Sequence, residues 1–137
     1  MTSKWPSNDL AALSAAGEID VAPARPHGTL AHPATIWVVR VDDDLYVRSA
    51  HGPDNPWYRW ATARGSGRIR IGGVDADVSF AHTGGGVQDE IDAAYHAKYD
   101  RYGPQIVGTV VGESAHRVTI HLVPTLELTD SDRPTKP

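Results

Sequence analysis

Cysteine is absent from the 137 residues, and methionine and phenylalanine occur once each. Without cysteine there is no disulfide framework, no thiolate nucleophile and no Cys-ligated zinc or iron–sulfur site. Long apolar runs are missing too, since no stretch approaches the roughly 18 apolar residues of a membrane-spanning helix. Met1 to Leu10 holds no apolar core of signal-peptide length, so a cytoplasmic protein without membrane attachment is expected. A basic excess is also lacking. Thirteen Lys and Arg against 17 Asp and Glu leave a net charge of −4, which argues against a dedicated nucleic-acid or anionic-membrane binder.

What remains is a globular composition, 40% hydrophobic and 22% charged. The length suits one domain, and such a chain buries about two-thirds of its unfolded surface without a staple. The expected boundaries are a flexible segment 1–7, a domain 8–124 and a flexible tail 125–137.

Asn8-Asp9 offers an N-cap to a helix over Leu10–Ala16 that Gly17 ends. Residues 18–34 hold Pro23, Pro26, Gly28 and Pro33 and read as a long connection. Thr35–Val41 is nearly all β-branched or aromatic and reads as one strand, returning after the Asp42-Asp43 turn as Asp44–Ser49. Alternation in the return strand sets Tyr46 and Arg48 on the face opposite Leu45 and Val47. A short helix opens at Asn55-Pro56, and a second hairpin runs Arg68–Ile71 and Val74–Phe80. A helix over Gln88–Arg101 and strands near Gln105–Val111 and Arg117–Val123 complete the order. Six strands joined largely by hairpins predict a mainly β domain of the α+β kind, an antiparallel barrel-like sheet with peripheral helices.

Chemistry concentrates in residues 46–59. A strand ends, a glycine-containing loop turns, and a helix begins, so the amides near Trp57 and Tyr58 and the positive helix end suit an anion. Arg48 and Arg59 can clamp a phosphate there. Six of the 13 basic residues, Arg40, Arg48, Arg59, Arg64, Arg68 and Arg70, fall between positions 40 and 70. The plain alternative is that they are solvated on strand faces or pair with Asp42–Asp44, Asp75 or Asp77. His27, His32, His51, His82, His96, His116 and His121 show no metal-binding spacing, and no metal is expected. Asp92 and His96 stand four apart on a helix that also carries Tyr95 and Lys98, and a tyrosine beside a lysine can serve as a general acid.

Thr35–Val39, Leu45–Ser49, Gly52, Trp57-Tyr58-Arg59, Gly67-Arg68-Ile69, Ala94-Tyr95 and Lys98-Tyr99 together resemble the bacterial domain-of-unknown-function family 2255, over roughly Trp5 to Pro124. Ser49-x-x-Gly52 followed by Asn55-Pro56-Trp57-Tyr58 is similar to the Ser-x-x-Gly, Pro-x-Trp-Tyr segment of deazaflavin-dependent nitroreductases. That resemblance implies the FMN-binding split β-barrel, a homodimer, and a cofactor phosphate beside Ser49, Gly52, Trp57 and Tyr58. Those enzymes carry a Gly-x-x-Ser-Gly-x-x-Arg motif before the first strand, where this chain has only Arg25 and Gly28. The cofactor is therefore FMN, a deazaflavin, or none.

The leading expectation is a flavin- or deazaflavin-dependent, nitroreductase-like oxidoreductase acting on a small organic molecule. Trp37, Trp57 and Trp60 would wall the ring, with Tyr95 or His27 as proton donor. The alternatives are a cofactor-free isomerase or cyclase on the same fold and a ligand-binding module without catalysis.

Overall fold

The structure, a computed structural model, describes residues 4–25, 29–71 and 73–125. Seven strands form one sheet: β1 (Ile19–Pro23), β2 (Ala34–Ile36), β3 (Val39–Val41), β4 (Asp44–Arg48), β5 (Ser66–Ile71), β6 (Val74–His82) and β7 (Thr119–Pro124). Their order is β2-β1-β5-β6-β7-β4-β3, with every pairing antiparallel. Five α-helices surround it: α1 (Ser7–Ala15), α2 (Pro56–Arg64), α3 (Gln88–Tyr99), α4 (Pro104–Val107) and α5 (Glu113–His116). No described helix is long and apolar enough to cross a membrane.

The two outermost strands, β2 and β3, are consecutive in sequence, with only Trp37 and Val38 between them. Laid flat, six strand spacings of about 4.8 Å would separate them by roughly 29 Å. The three Cα steps from Ile36 to Val39 span at most about 11 Å. The sheet must therefore curl until its edges approach each other, which makes a half-barrel.

That curl splits the strand expected over 35–41, because its first half pairs with β1 and its second with β4. Three other expectations are corrected. The connection 18–34 contains β1, whose Ile19 and Val21 are buried. Residues 105–111 form no strand: Pro104 takes the first helical position of α4, and turns follow to Gly112. Trp5, within the segment expected to fray, is buried, and its Nε1 donates to Leu122 O at 3.1 Å. Tail residues 126–137 lie outside the described residues.

Strand alternation builds two cores. Leu45 and Val47 face the interior of the curl with Leu13, Ile69, Ile120 and Leu122, closed at one end by Trp57 and Ala61 of α2. Each fully buried aliphatic side chain contributes about 1.5–3 kcal/mol. On the other face of β4, Tyr46 and Val39 of β3 lie under Ile91, Tyr95 and Tyr99 of α3. Both faces of β4 are thus covered, and Arg48, at its end, is carried beneath α3.

Candidate functional site

The segment from β4 to α2 is shaped by its own polar side chains. Ser49 Oγ donates to Gly52 O at 2.5 Å, and Asn55 Nδ2 donates to Ser49 Oγ (2.8 Å) and Ala50 O (2.7 Å). His51 and Gly52 both turn through positive φ, 65° and 102°. Glycine adopts this readily, whereas a histidine there stores roughly 1 kcal/mol or more of strain. Asn55 was the expected cap of α2, but its amide is spent on the loop and no side chain caps this helix. Pro56 has no N–H, and the first intrahelical bond runs from Arg59 N to Asn55 O. The amides of Trp57 and Tyr58 are therefore without a partner inside the helix.

A cavity of about 530 Å³ opens beside this loop. Ala50, His51, Asn55 and Trp57 form one wall and Glu18, Thr35, Ile36 and Trp37 a second. Gln105, Ile106, Thr109 and Val110, from α4 and the turn after it, form a third. The loop and Trp57 were legible in the sequence. Glu18 and the 105–110 wall were not, because only the curl of the sheet brings them across.

Arg48 reaches the cavity, but its guanidinium is fully buried. Nε donates to Thr119 Oγ1 (2.9 Å), Nη1 to Asp92 Oδ1 (2.5 Å) and Val110 O (2.7 Å), and Nη2 to Gln88 Oε1 (2.7 Å) and Gln88 O (3.4 Å). An arginine has five N–H donors, and all five are engaged here. The two-sided phosphate clamp is corrected accordingly. Arg48 braces the Val110 wall, and exposed Arg59 lies in a separate groove with Pro53, Tyr58 and Trp60. Trp60, expected as a ring wall, belongs to that groove and not to the cavity. Three of the other arginines follow the plain alternative: Arg40 pairs with Asp43, Arg68 with Asp75 and Asp77, and Arg70 with Asp75.

Asp92 receives Arg48 on one oxygen and His116 Nε2 (3.0 Å) and Gly112 N (3.3 Å) on the other. Desolvation pushes this carboxyl up, but the hydrogen bonds from Arg48 and His116, the Arg48 charge and the Gly112 amide outweigh it and hold it below the ordinary value. Asp92 and His96, four apart on α3, do not bond each other; His96 Nδ1 lies 2.8 Å from Asp100 Oδ1. His116 ends α5, whereas His121 lies in β7. Asp89, Asp92 and His116 bring ligand atoms within 4.8 Å of one another and could hold a metal ion, although both Asp92 oxygens are already committed.

Tyr95, the expected proton donor, is fully buried in the core under α3 and does not line the cavity. Its hydroxyl has no partner among the described residues, and burial pushes its pKa well up. A neutral phenol sealed from the cavity cannot reach a ligand there. His27, the other expected donor, lies outside the described residues. Tyr99, by contrast, is fully engaged through its hydroxyl, which accepts from Val38 N (3.2 Å) and lies 2.8 Å from Gly17 O and 3.0 Å from Val38 O. Burial pushes it up to about 12.

The sequence itself places the chain. Residues 9–122 match the family described as an uncharacterized protein conserved in bacteria, DUF2255. The chain belongs to that family. No curated protein matches the sequence. The DUF2255 fold is similar to a pyridoxamine 5'-phosphate oxidase-like protein from Listeria innocua (TM-score 0.60, 14% identity, 87% of this chain and 92% of that one). It is also similar to a FAD-binding protein from Mesorhizobium loti (TM-score 0.55, 16% identity, 88% and 91%). A third likeness is to HutZ, the heme storage protein from Vibrio cholerae (TM-score 0.58, 10% identity, 88% and 90%). At these identities the likeness shows the fold, and the DUF2255 half-barrel is of the FMN-binding split-barrel type.

Proposed function

We propose that this DUF2255 protein is a small-molecule oxidoreductase that lays a flavin or deazaflavin ring in the cavity walled by Trp37 and Trp57. The observation that carries the reading is the cavity itself: about 530 Å³, aromatic on two walls, and bordered by an uncapped helix start. Flat conjugated ligands favour such walls, with a few placed polar groups to orient them. The residues present fit the ring. For the phosphate they offer the amides of Trp57 and Tyr58 and the His51 imidazole, in a loop held by Ser49, Gly52 and Asn55. Arg48 acts as a positioning residue, fixing the Val110 wall through its carbonyl. When bound, such a cofactor supplies hydride transfer. The chain's own part is to orient the ring and shield it from water, with His51 at the cavity wall to give or take a proton. The reading carries with it a homodimer, and Ile106, 51% exposed beside the cavity, is an apolar surface that a second copy would cover.

A cofactor-free ligand-binding or isomerase role is the second reading, favoured by the absence of any spare donor on Arg48. Titration with FMN and with the tailed deazaflavin, followed by cofactor fluorescence, separates the two. Saturable micromolar binding that His51→Ala weakens about tenfold, the scale of one charge-assisted hydrogen bond, supports the oxidoreductase. No binding of either cofactor removes it and leaves the cofactor-free reading.

A further inference from the structure

Glu18 is the one charge of the cavity that neither reading uses. Register places it. The last β1–β2 pair is Ile19 with Ile36, so Glu18 and Trp37 are the residues next to it at the same end of the two strands. Both residues line the cavity. One hydroxyl fixes the pair: Tyr99 bonds Gly17 O, next to Glu18, and Val38 N, next to Trp37.

Trp37 is stacked on Tyr99 at 4.0 Å and 3°. Tyr102 approaches it at 5.6 Å, yet lies only 6.2 Å from Tyr99. Rings on opposite faces of the indole would stand nearly 10 Å apart, roughly the sum of the two distances. Tyr102 is therefore at the indole's edge, and no aromatic ring among the described residues stacks on the face away from Tyr99. Lys98 and Arg101 sit over Tyr99 and Tyr102, and neither lines the cavity.

The charge balance is one-sided. Of the charged residues lining the cavity, Arg48 has every donor engaged and Asp92 as counter-charge, whereas Glu18 makes no ion pair among the described residues. An unpaired carboxylate and an indole lining the same mostly apolar cavity favour a positive ligand twice over, by Coulomb attraction and by the ring quadrupole. We infer that the cavity selects an organic cation, an ammonium or a cationic nitrogen heterocycle, with its positive centre between Glu18 and Trp37. This rests on reading the cavity as the small-molecule site and names the substrate class. It requires no bound cofactor.

The test is an NMR titration with (4-hydroxyphenyl)trimethylammonium and its neutral isostere 4-tert-butylphenol. Backbone amide resonances of Glu18 and the Trp37 indole N–H are followed in the wild type and in Glu18→Gln. The expected result is that the cation shifts both resonances and binds about fivefold or more tightly than the phenol, a preference that Glu18→Gln abolishes. Equal affinities, a preference unchanged in Glu18→Gln, or no binding of either compound overturns the inference. FMN and deazaflavin titrations of the same samples report on the redox reading separately, so one can fail while the other stands.

Discussion

Arg48 illustrates how far single residues could be read. A cation at the end of a strand, ahead of a helix start, has the chemistry of a phosphate ligand. What redirects it is a set of partners 40 to 71 positions away, Gln88, Asp92, Val110 and Thr119, which no local pattern announces. Removing one member of a buried charged network typically costs about 3–5 kcal/mol, so Arg48→Leu is expected to destabilise the protein by that order in urea unfolding. Tyr95 makes the contrasting case from a neighbouring position. Its hydroxyl is buried and without a partner among the described residues, so Tyr95→Phe removes an unsatisfied group and should leave stability unchanged or raise it by about 1 kcal/mol. Ligand binding should also be unchanged in Tyr95→Phe. A loss of turnover with unchanged folding would restore Tyr95 as a proton donor.

At the level of elements, local chemistry was a good guide at two turns, whereas the expected caps Asn8-Asp9 and Asn55 do not cap their helices. The β3–β4 hairpin turns at Asp42-Asp43 with Asp42 at φ 56°, and α2 runs from Pro56 to a Gly65 cap at φ 77°. It misled where apolar composition stood alone. Gln105–Val111 is rich in β-branched residues, but Pro104 takes the first position of a helical turn there. Strand β1 was hidden by its flanking prolines, although it is essential to the packing. Gly67 of β5 lies opposite Pro23 of β1 at such close approach that an added Cβ would sit 2.8 Å from Pro23 Cα and also meet Ala22 O. Gly67→Ala should therefore cost about 1–3 kcal/mol by forcing the two backbones apart. An unchanged urea midpoint would show that the strands have slack at this crossing.

The whole molecule depends on a two-residue bridge. Trp37-Val38 closes the sheet, and α3 holds it: Tyr99 bonds the Val38 amide, while Tyr99 and Lys98 Nζ (2.7 Å) both reach the Val38 carbonyl. This closure also sets the Glu18–Trp37 wall, so the cavity and the barrel are stabilised by the same contacts. No run of sequence could show this, because the bridge looks like the middle of one strand until both its partners are known. Lys98 provides a measurable handle on the closure. Partial burial, with Arg101 nearby, lowers its pKa from the ordinary 10.5 to about 8. Below about pH 8 the amine is charged in both folded and unfolded chains, and the full cost of holding that charge in the half-buried site is present. Between about 8 and 10.5 the unfolded chain binds more proton than the folded one, so this group's contribution to stability rises with pH. Urea unfolding of the wild type and of Lys98→Met at pH 7, 8, 9 and 10 isolates the effect, since other titrations largely cancel in the difference. The difference should move in favour of the wild type across that window. A flat difference would mean that the Lys98 ammonium is as well solvated in the folded chain as in the unfolded one, and that the Val38 bridge is held by Tyr99 without a charge cost.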